Sequence, residues 1–216
     1  MRFKNRSTAG RLLARKLGKY KNKNTIVLAL PRGGVPVGFE IAKVLHVPFS
    51  VIVARKIGMP GNPEFGIGAI SEGDVVVLDI HTIKQLDVSK EAIEKAIEKE
   101  RKELARRVQL YRKGKPLPKL SGHTAILVDD GLATGVTARA AIKAIRKMNP
   151  RCIVAAFPVC AADTAGNLKQ QVNNLVSLLT SVEFTSVGSW YEDFQQVTDK
   201  KVVELLKKFR KVSTLP

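Results

Sequence analysis

The sequence predicts an α/β domain with a doubly wound, mainly parallel sheet and helices on both faces. Short apolar runs alternate with segments of helical periodicity, which is the order that βαβ units produce. The runs are apolar throughout, as expected of strands that are buried on both faces. Two of them end in glycine-containing turns, and ligands of such folds bind at the carboxyl ends of the strands. The predicted core strands are 26–30, 49–54, 125–128, 152–159 and 175–179.

Length and composition fit one domain. The chain has 216 residues, enough to bury a sizeable core, which we expect to span about residues 25–180. No apolar run approaches the ~20 residues of a membrane-spanning helix. Cys152 and Cys160 lie in or beside an apolar run without other metal ligands, so we expect free buried thiols in a cytoplasmic protein. The formal net charge of +18 fits either a solvated basic surface or non-specific contact with nucleic acid.

The first glycine turn follows the first predicted strand. Spaced leucines predict an amphipathic helix over 7–17, and the apolar strand 26–30 comes next. Directly after it, Arg32 precedes the glycine pair Gly33 and Gly34. Glycines at a strand end let a ligand approach the backbone closely. Because a helical pattern starts at once, this strand, turn and helix indicate an anion site that includes a cation.

A basic pair and a mobile loop follow the second strand. Strand 49–54 ends in Arg55 and Lys56, and the stretch 57–64 has the glycine and proline content of a mobile loop. Closure of such a loop would exclude water from a reaction. Within this region Glu64 and Glu72 are candidate acid–base groups.

A hairpin and a long helix complete the middle of the chain. Two short strands, 65–70 and 75–78, predict a hairpin. Residues 89–113 predict one helix with a narrow apolar stripe, whose role is packing or a subunit contact.

The stretch from Thr124 to Arg139 contains the strongest functional signal. The apolar strand 125–128 ends in two adjacent acids, Asp129 and Asp130, and a loop of small and hydroxyl residues leads into a helix. Backbone N–H groups and the helix dipole favour a phosphate in that loop. Adjacent carboxylates favour a cation or several hydroxyls between them. The two features together suit a ribose 5-phosphate. The Gly-Lys-Ser/Thr of a P-loop is missing, and no GxGxxG follows a strand.

This stretch, VDDGLATGVT, resembles the PRPP-binding motif of the type I phosphoribosyltransferases. Residues 25–179 are covered by the resemblance, which is nearest to an uncharacterised branch of predicted phosphoribosyltransferases. It implies one domain over 1–216, with a flexible loop and hairpin over 56–80. A variable hood, built from residues 1–24 and 181–216, would cover the site and read the base.

The resemblance also implies a role for each matching residue. Asp129 and Asp130 would bind the ribose of PRPP, and with Arg32 and Lys56 they are the candidate catalytic residues. The family's turn contains a cis peptide, which aligns here with Leu30–Pro31. The 5-phosphate would be bound by Leu132, Ala133, Thr134, Gly135, Val136 and Thr137, and the pyrophosphate by Arg32, Gly33, Gly34, Arg55 and Lys56.

The acceptor is less well defined. Trp190 and Tyr191 are candidates to stack on a base, and filling the hood's own small core is an equal alternative for them. Ala133 stands where 6-oxopurine enzymes have an aspartate that contacts the base, which disfavours hypoxanthine or guanine.

The resemblance implies a transferase of nucleotide metabolism. It would move 5-phosphoribosyl from PRPP to a nitrogen nucleophile such as a nucleobase, with release of pyrophosphate. Mg²⁺ would be held mainly through PRPP and also through Asp129 and Asp130. A homodimer is expected. The alternative is a PRPP-sensing regulator that binds nucleic acid through its basic surface.

Overall fold

The computed structural model describes residues 2–213, apart from the side chains of Glu64 and of residues 211–213. The strands are β1 (Thr25–Ala29), β2 (Phe49–Val51), β3 (Ala54–Met59), β4 (Asn62–Ser71), β5 (Val75–Leu78), β6 (Thr124–Val128), β7 (Cys152–Ala161) and β8 (Asn174–Ser181). The helices are α1 (Arg6–Lys16), α2 (Gly34–Leu45), α3 (Ile80–Gln85), α4 (Lys90–Arg112), α5 (Val136–Lys147), α6 (Ala162–Lys169) and α7 (Asp199–Ser213).

The main sheet is parallel, with the strand order β2-β1-β6-β7-β8. Every residue of β1 and β6 is buried, because helices cover both faces of these central strands. Helices α1, α2 and α7 pack on one face, and α5 and α6 pack on the other. The predicted doubly wound α/β fold is confirmed.

The hairpin belongs to a second sheet, which is antiparallel and has the order β3-β4-β5. The prediction of one strand over 49–54 is wrong. Only Phe49–Val51 pairs with the main sheet, and from Ala54 the chain pairs with β4 instead. Between the two strands Val53 donates its N–H to the Glu72 carboxylate rather than to a strand. The stretch predicted as a loop over 57–64 forms the ends of β3 and β4.

Helix α4 matches the predicted long helix to within one residue at each end. Ser89 caps it by accepting a hydrogen bond from the Ala92 N–H, and Lys113 ends it in the left-handed conformation. Its apolar stripe packs on the antiparallel sheet through Ile93, Ile97 and Leu104. None of the helices in the described part of the chain is both long and apolar enough to cross a membrane.

The two terminal segments meet. Phe3 forms a parallel bridge with Tyr191, and its N–H donates to the Trp190 carbonyl at 2.8 Å. The Glu192 N–H donates back to the Phe3 carbonyl at 2.8 Å. Helix α1 begins directly after this contact and is capped by Asn5. The terminal segments are therefore joined to each other as well as to the core.

Candidate active site

Asp129 and Asp130 follow β6 near the middle of the carboxyl edge of the main sheet. Since β6 lies between β1 and β7, both neighbours contribute loops to the same edge. The Asp130 N–H donates to Asp129 Oδ1 at 2.9 Å. Burial raises the pKa of Asp129 well above its usual value, and the negative charge of Asp130 raises it further. Such a pair gains from a cation or from hydroxyl donors beside it.

The loop after the acids is fixed at its base and open at its tip. Leu132 donates its N–H to the Val159 carbonyl and accepts from the Ala161 N–H, both at 2.8 Å, so β7 holds this residue. Ala133 and Thr134 at the tip are exposed. Gly135 has a φ of +68° and stands directly before α5. The left-handed conformation favours glycine at this point. The exposed tip and the start of α5 form a surface suited to an anion.

The arginine–diglycine turn is in direct contact with the two acids. A Cβ atom at Gly33 would lie 2.1 Å from Asp130 Oδ2, and one at Gly34 would lie 2.6 Å from the Val128 carbonyl. Only glycine allows this approach. The Leu30 N–H also donates to the Val128 carbonyl at 2.8 Å. The structure thus brings together the two turns that the sequence singled out.

A non-proline cis peptide lies in this turn, between Pro31 and Arg32. The sequence-based expectation of a cis bond at Leu30–Pro31 is wrong by one position. That expectation depended on the ease with which the bond before a proline becomes cis. The observed bond follows the proline.

Arg32 makes an ion pair with the first residue of α7. Its Nη1 lies 3.5 Å from Asp199 Oδ1, and both side chains are about one-third exposed or less. Asp199 also accepts hydrogen bonds from the Tyr111 hydroxyl at 2.6 Å and from Arg106 at 3.0 Å. Although burial opposes it, these hydrogen bonds and the arginine charges lower the pKa of Asp199. Asp199 is therefore a carboxylate partner of the predicted pyrophosphate-binding arginine.

The basic pair on β3, Arg55 and Lys56, contacts α4 and β4. Arg55 makes an ion pair at 2.7 Å with Glu100 of α4. Lys56 is exposed, and its aliphatic chain lies against Gly66 on β4. In this conformation Arg55 binds the long helix, so a role at the pyrophosphate would require it to exchange partners.

Trp190 and Tyr191 belong to an aromatic cluster over the site. The Tyr191 ring is 2% exposed and packs between Phe3 and Phe194, with centroid distances of 5.4 and 5.1 Å. Its hydroxyl donates to the Asp130 carbonyl at 2.6 Å. Trp190 stacks on Phe184. This arrangement favours the alternative that the aromatics fill a small core, since the Tyr191 face is covered.

Arg6 is a second charged residue of the site, besides Asp199, that the sequence did not single out. Its Nε donates to Asp130 Oδ2 at 2.7 Å, and its guanidinium lies 3.8 Å from the centroid of the Phe194 ring. Nothing in the basic N-terminal segment distinguishes this arginine from its neighbours, because its partners lie far away in the sequence.

Glu72, a candidate acid–base group, has a different role. Arg112 binds both of its carboxylate oxygens, and the Val53 N–H donates to Oε1 at 2.8 Å. Its side chain is 11% exposed, so it holds α4 against the hairpin rather than serving a substrate. Glu64, the other candidate, has a side chain outside the described residues.

The acids also suit a particular mode of metal binding. Among the described residues, no three side chains of His, Cys, Asp or Glu come together as metal ligands. Mg²⁺ prefers oxygen ligands and is often held by one or two carboxylates together with substrate phosphates. The adjacent carboxylates of Asp129 and Asp130 fit an ion that arrives with a phosphorylated ligand.

Comparison with known proteins identifies the family. Residues 5–193 match the family model of the phosphoribosyl transferase domain. The chain belongs to this family. The type I resemblance inferred from the motif is confirmed at the level of family and fold.

Relatives of this phosphoribosyl transferase domain differ in length. This chain is 39% identical over 204 residues to Rv0571c of Mycobacterium tuberculosis. The name of that relative assigns it provisionally to the phosphoribosyl transferases. That match covers 94% of this chain and 46% of the relative, so the chain spans about half the length of the relative.

Solved structures share the fold. TT1426 from Thermus thermophilus has a TM-score of 0.80 and 37% identity, with 97% of this chain and 99% of that chain covered. AQ2163 from Aquifex aeolicus has a TM-score of 0.52 at 13% identity, with 82% of this chain and 74% of that chain covered, and shows the fold alone.

Proposed function

We propose that this domain is a Mg²⁺-dependent phosphoribosyltransferase that transfers 5-phosphoribosyl from PRPP to a nitrogen nucleophile. The observation that supports it most is the contact between the Gly33–Gly34 turn and the Asp129–Asp130 pair. Two anion-binding turns, one with a cation and one with two carboxylates, would lie within the span of one ligand with phosphates on both sides of a ribose.

Each residue has a definite part in this proposal. Asp129 and Asp130 accept hydrogen bonds from the ribose hydroxyls and stabilise positive charge that develops on the ring. The loop from Leu132 to Thr137 binds the 5-phosphate through backbone N–H groups and the hydroxyls of its threonines. The diglycine turn and Arg32 bind the pyrophosphate, with Arg55 and Lys56 joining when β3 and β4 adjust.

The reaction exchanges one bond at the anomeric carbon. The bond from C1 to the pyrophosphate oxygen breaks with its electron pair leaving on the oxygen, and a bond from C1 to the acceptor nitrogen forms. The acceptor nitrogen gives its proton to solvent, and the released pyrophosphate carries the balancing negative charge. Asp129 and Asp130, together with PRPP oxygens, would hold Mg²⁺, which would supply positive charge near the leaving pyrophosphate. The protein contributes mainly by positioning the reactants and by charge.

A screen for pyrophosphate release tests this function. Wild-type protein is incubated with PRPP, Mg²⁺ and one acceptor at a time, first nucleobases and then other amines. Asp130→Asn should abolish release and weaken PRPP binding at least tenfold, because it removes the charge beside the ribose. Asp74→Asn, in an exposed turn, is the matched control and should act as wild type. Failure of the wild type to bind PRPP would refute the proposal.

A regulator that binds nucleic acid is the second candidate. It is favoured by the net charge of +18 and by exposed basic residues on α1, such as Arg11, Arg15 and Lys16. Binding of this kind weakens steeply as salt is added. Salt-sensitive binding to RNA or DNA, with PRPP binding but no pyrophosphate release for any acceptor, would select this candidate over the transferase.

A further inference from the structure

Asp130 already has an opposite charge beside it. Arg6 Nε lies 2.7 Å from Asp130 Oδ2, and the two side chains are only 11% and 13% exposed. Arg6 is held in place by Phe194, under its guanidinium at 3.8 Å, and by the Gln195 carbonyl, which accepts from Nη1 at 2.8 Å. The arginine thus takes up an oxygen that a ribose hydroxyl would need.

The residues between β8 and α7, 182–198, are called here the cover segment. Its Tyr191 hydroxyl donates to the Asp130 carbonyl, and its Val187 lies so close to Gly131 that a Cβ there would sit 2.5 Å from Val187 Cγ1. The cover segment also binds Phe3 through backbone hydrogen bonds. It therefore lies directly over the start of the loop that follows the two acids.

In a second ion pair the charges are reversed, because here an acid lies against a cation of the proposed site. Asp199, the residue after the cover segment, lies 3.5 Å from Arg32 Nη1. Arg32 is the cation that the proposed function assigns to the pyrophosphate. Two charged groups beside the C-terminal part of the cover segment thus stand where PRPP would bring groups of its own. Arg6, which contacts Phe194 and Gln195, is a cation on the ribose-binding acid, and Asp199 is a carboxylate on the pyrophosphate-binding arginine.

We propose that the cover segment, together with Arg6 and Asp199 beside it, is an autoinhibitory lid that is closed by the Arg6–Asp130 and Asp199–Arg32 pairs and that PRPP must displace on binding. The inference rests on the proposed function, since it concerns access to the same site. A ligand that binds only the open form loses apparent affinity in proportion to the closed fraction. Weakening either pair by changing its lid residue, Arg6 or Asp199, should therefore strengthen PRPP binding, because the ligand-binding partners Asp130 and Arg32 are kept.

The test compares variants in which one charge at a time is removed. Arg6→Gln should bind PRPP–Mg²⁺ about three- to tenfold more tightly than wild type, because more of the protein is open. Asp199→Asn, which keeps an acceptor for the Tyr111 hydroxyl, should act in the same direction. The matched controls are Arg11→Gln, exposed on the same helix, and Asp193→Asn, exposed in the cover segment; both should bind as wild type.

Trp190 gives a readout of the lid that is independent of affinity. It is the only tryptophan, its indole stacks on Phe184 at a centroid distance of 6.4 Å, and its Nε1 is buried. Opening should expose the indole to water and shift its emission to longer wavelength. We expect the shift when PRPP–Mg²⁺ is added to wild type, and already without ligand in Arg6→Gln but not in Arg11→Gln.

The outcomes separate this inference from the proposed function. Weaker PRPP binding by Arg6→Gln with unchanged tryptophan emission would mean that Arg6 supports the acid, and it would overturn the lid. Unchanged affinity in both Arg6→Gln and Asp199→Asn would overturn it as well. If neither wild type nor the variants bind PRPP, the proposed function falls too. Should Arg6→Gln fail to fold, Asp199→Asn decides in the same way.

Discussion

Two arginine–carboxylate pairs in this chain are similarly buried but have different surroundings. The side chains of Arg112 and Glu72 are 5% and 11% exposed, and those of Arg6 and Asp130 are 11% and 13% exposed. In the first pair every charge is matched. Glu72 receives both arms of Arg112 and a backbone N–H, and Arg112 also donates to the Val51 and Lys115 carbonyls.

The second pair leaves charge unmatched. Arg6 meets Asp130 through Nε, while the neighbouring Asp129 is partly buried against Asp130 and has a raised pKa. The matched Arg112–Glu72 pair holds two elements together. The two adjacent carboxylates of Asp129 and Asp130 instead destabilise the fold, and a bound ligand can relieve that cost. Equal burial therefore does not imply an equal role.

The largest effect is expected from Arg112→Ala. It leaves Glu72 buried without its partner, and breaking a buried pair from one side costs about 3–5 kcal/mol. The free energy of unfolding in urea should fall by that amount. Arg101→Ala, which breaks a half-exposed pair with Glu98, should cost less than about 1 kcal/mol. Similar losses in the two variants would show that the matched pair is not structural.

Gly33→Ala should cause the next largest loss in the free energy of unfolding, and it should disturb the Arg6–Asp130 pair. Its Cβ would lie 2.1 Å from Asp130 Oδ2, so the carboxylate must move away from Arg6. Overpacking of this kind costs about 1–3 kcal/mol. PRPP affinity, measured by calorimetry, should also fall, because the displaced carboxylate is the one proposed to bind the ribose. The control is Gly166→Ala in α6, where the added Cβ would meet nothing within 4 Å apart from its chain neighbours and the backbone of its own helix. It should be neutral or stabilising, because alanine favours helix.

Asp129→Asn should stabilise the protein at neutral pH. Because the pKa of Asp129 is raised in the folded state, its contribution to stability is complete below its usual value of 3.8 and is lost as pH rises through the folded pKa. Removing this partly buried acid should raise the free energy of unfolding by about 1 kcal/mol at pH 7 and flatten its pH dependence. Asp74→Asn should do neither. Destabilisation at pH 7 by Asp129→Asn would contradict the view that this acid is a cost to folding.

The smallest effect on stability is expected at Glu103, which accepts hydrogen bonds from two arginines of α4. Hydrogen bonds from Arg106 and Arg107 lower the pKa of Glu103 to about 2. Its stabilisation is therefore present above pH 4.5 and is lost as pH falls toward 2. Since Glu103 is 28% exposed, Glu103→Gln should lower the free energy of unfolding by less than about 1 kcal/mol at pH 7. The difference from wild type, followed by urea titrations at several pH values, should vanish in acid.

Local patterns predicted most of the fold. Each strand of the main sheet is preceded or followed by turn residues, and the motif around Asp129 and Asp130 is contiguous, so adjacent residues were enough to recognise it. The break at Ile52 and Val53 was not predictable in this way. The apolar run continues through it, and the change of partner depends on Glu72 and Arg112, which lie elsewhere in the chain.

The charged partners of the site show the same limit. Arg6 and Asp130 are separated by 124 positions, and the Arg32–Asp199 pair spans most of the chain. No pattern within a window of sequence could select Arg6 from the basic N-terminal residues. The hydrogen bond from the Tyr191 hydroxyl to the Asp130 carbonyl could not be predicted from local sequence either. The Tyr191 ring therefore suggested base stacking as readily as packing.

The junction of the terminal segments has a consequence for how the protein reaches its native state. Arg2 donates to the Ser189 carbonyl across 187 positions, one of the longest separations in the fold. Contacts so distant in sequence form slowly, after local helices and neighbouring strands. We expect the main sheet, the diglycine turn and the loop after Asp130 to form first. They would remain exposed to solvent until the segment around Tyr191 pairs with Phe3. In a newly made chain the proposed sugar-phosphate site would then form before the terminal segments cover it.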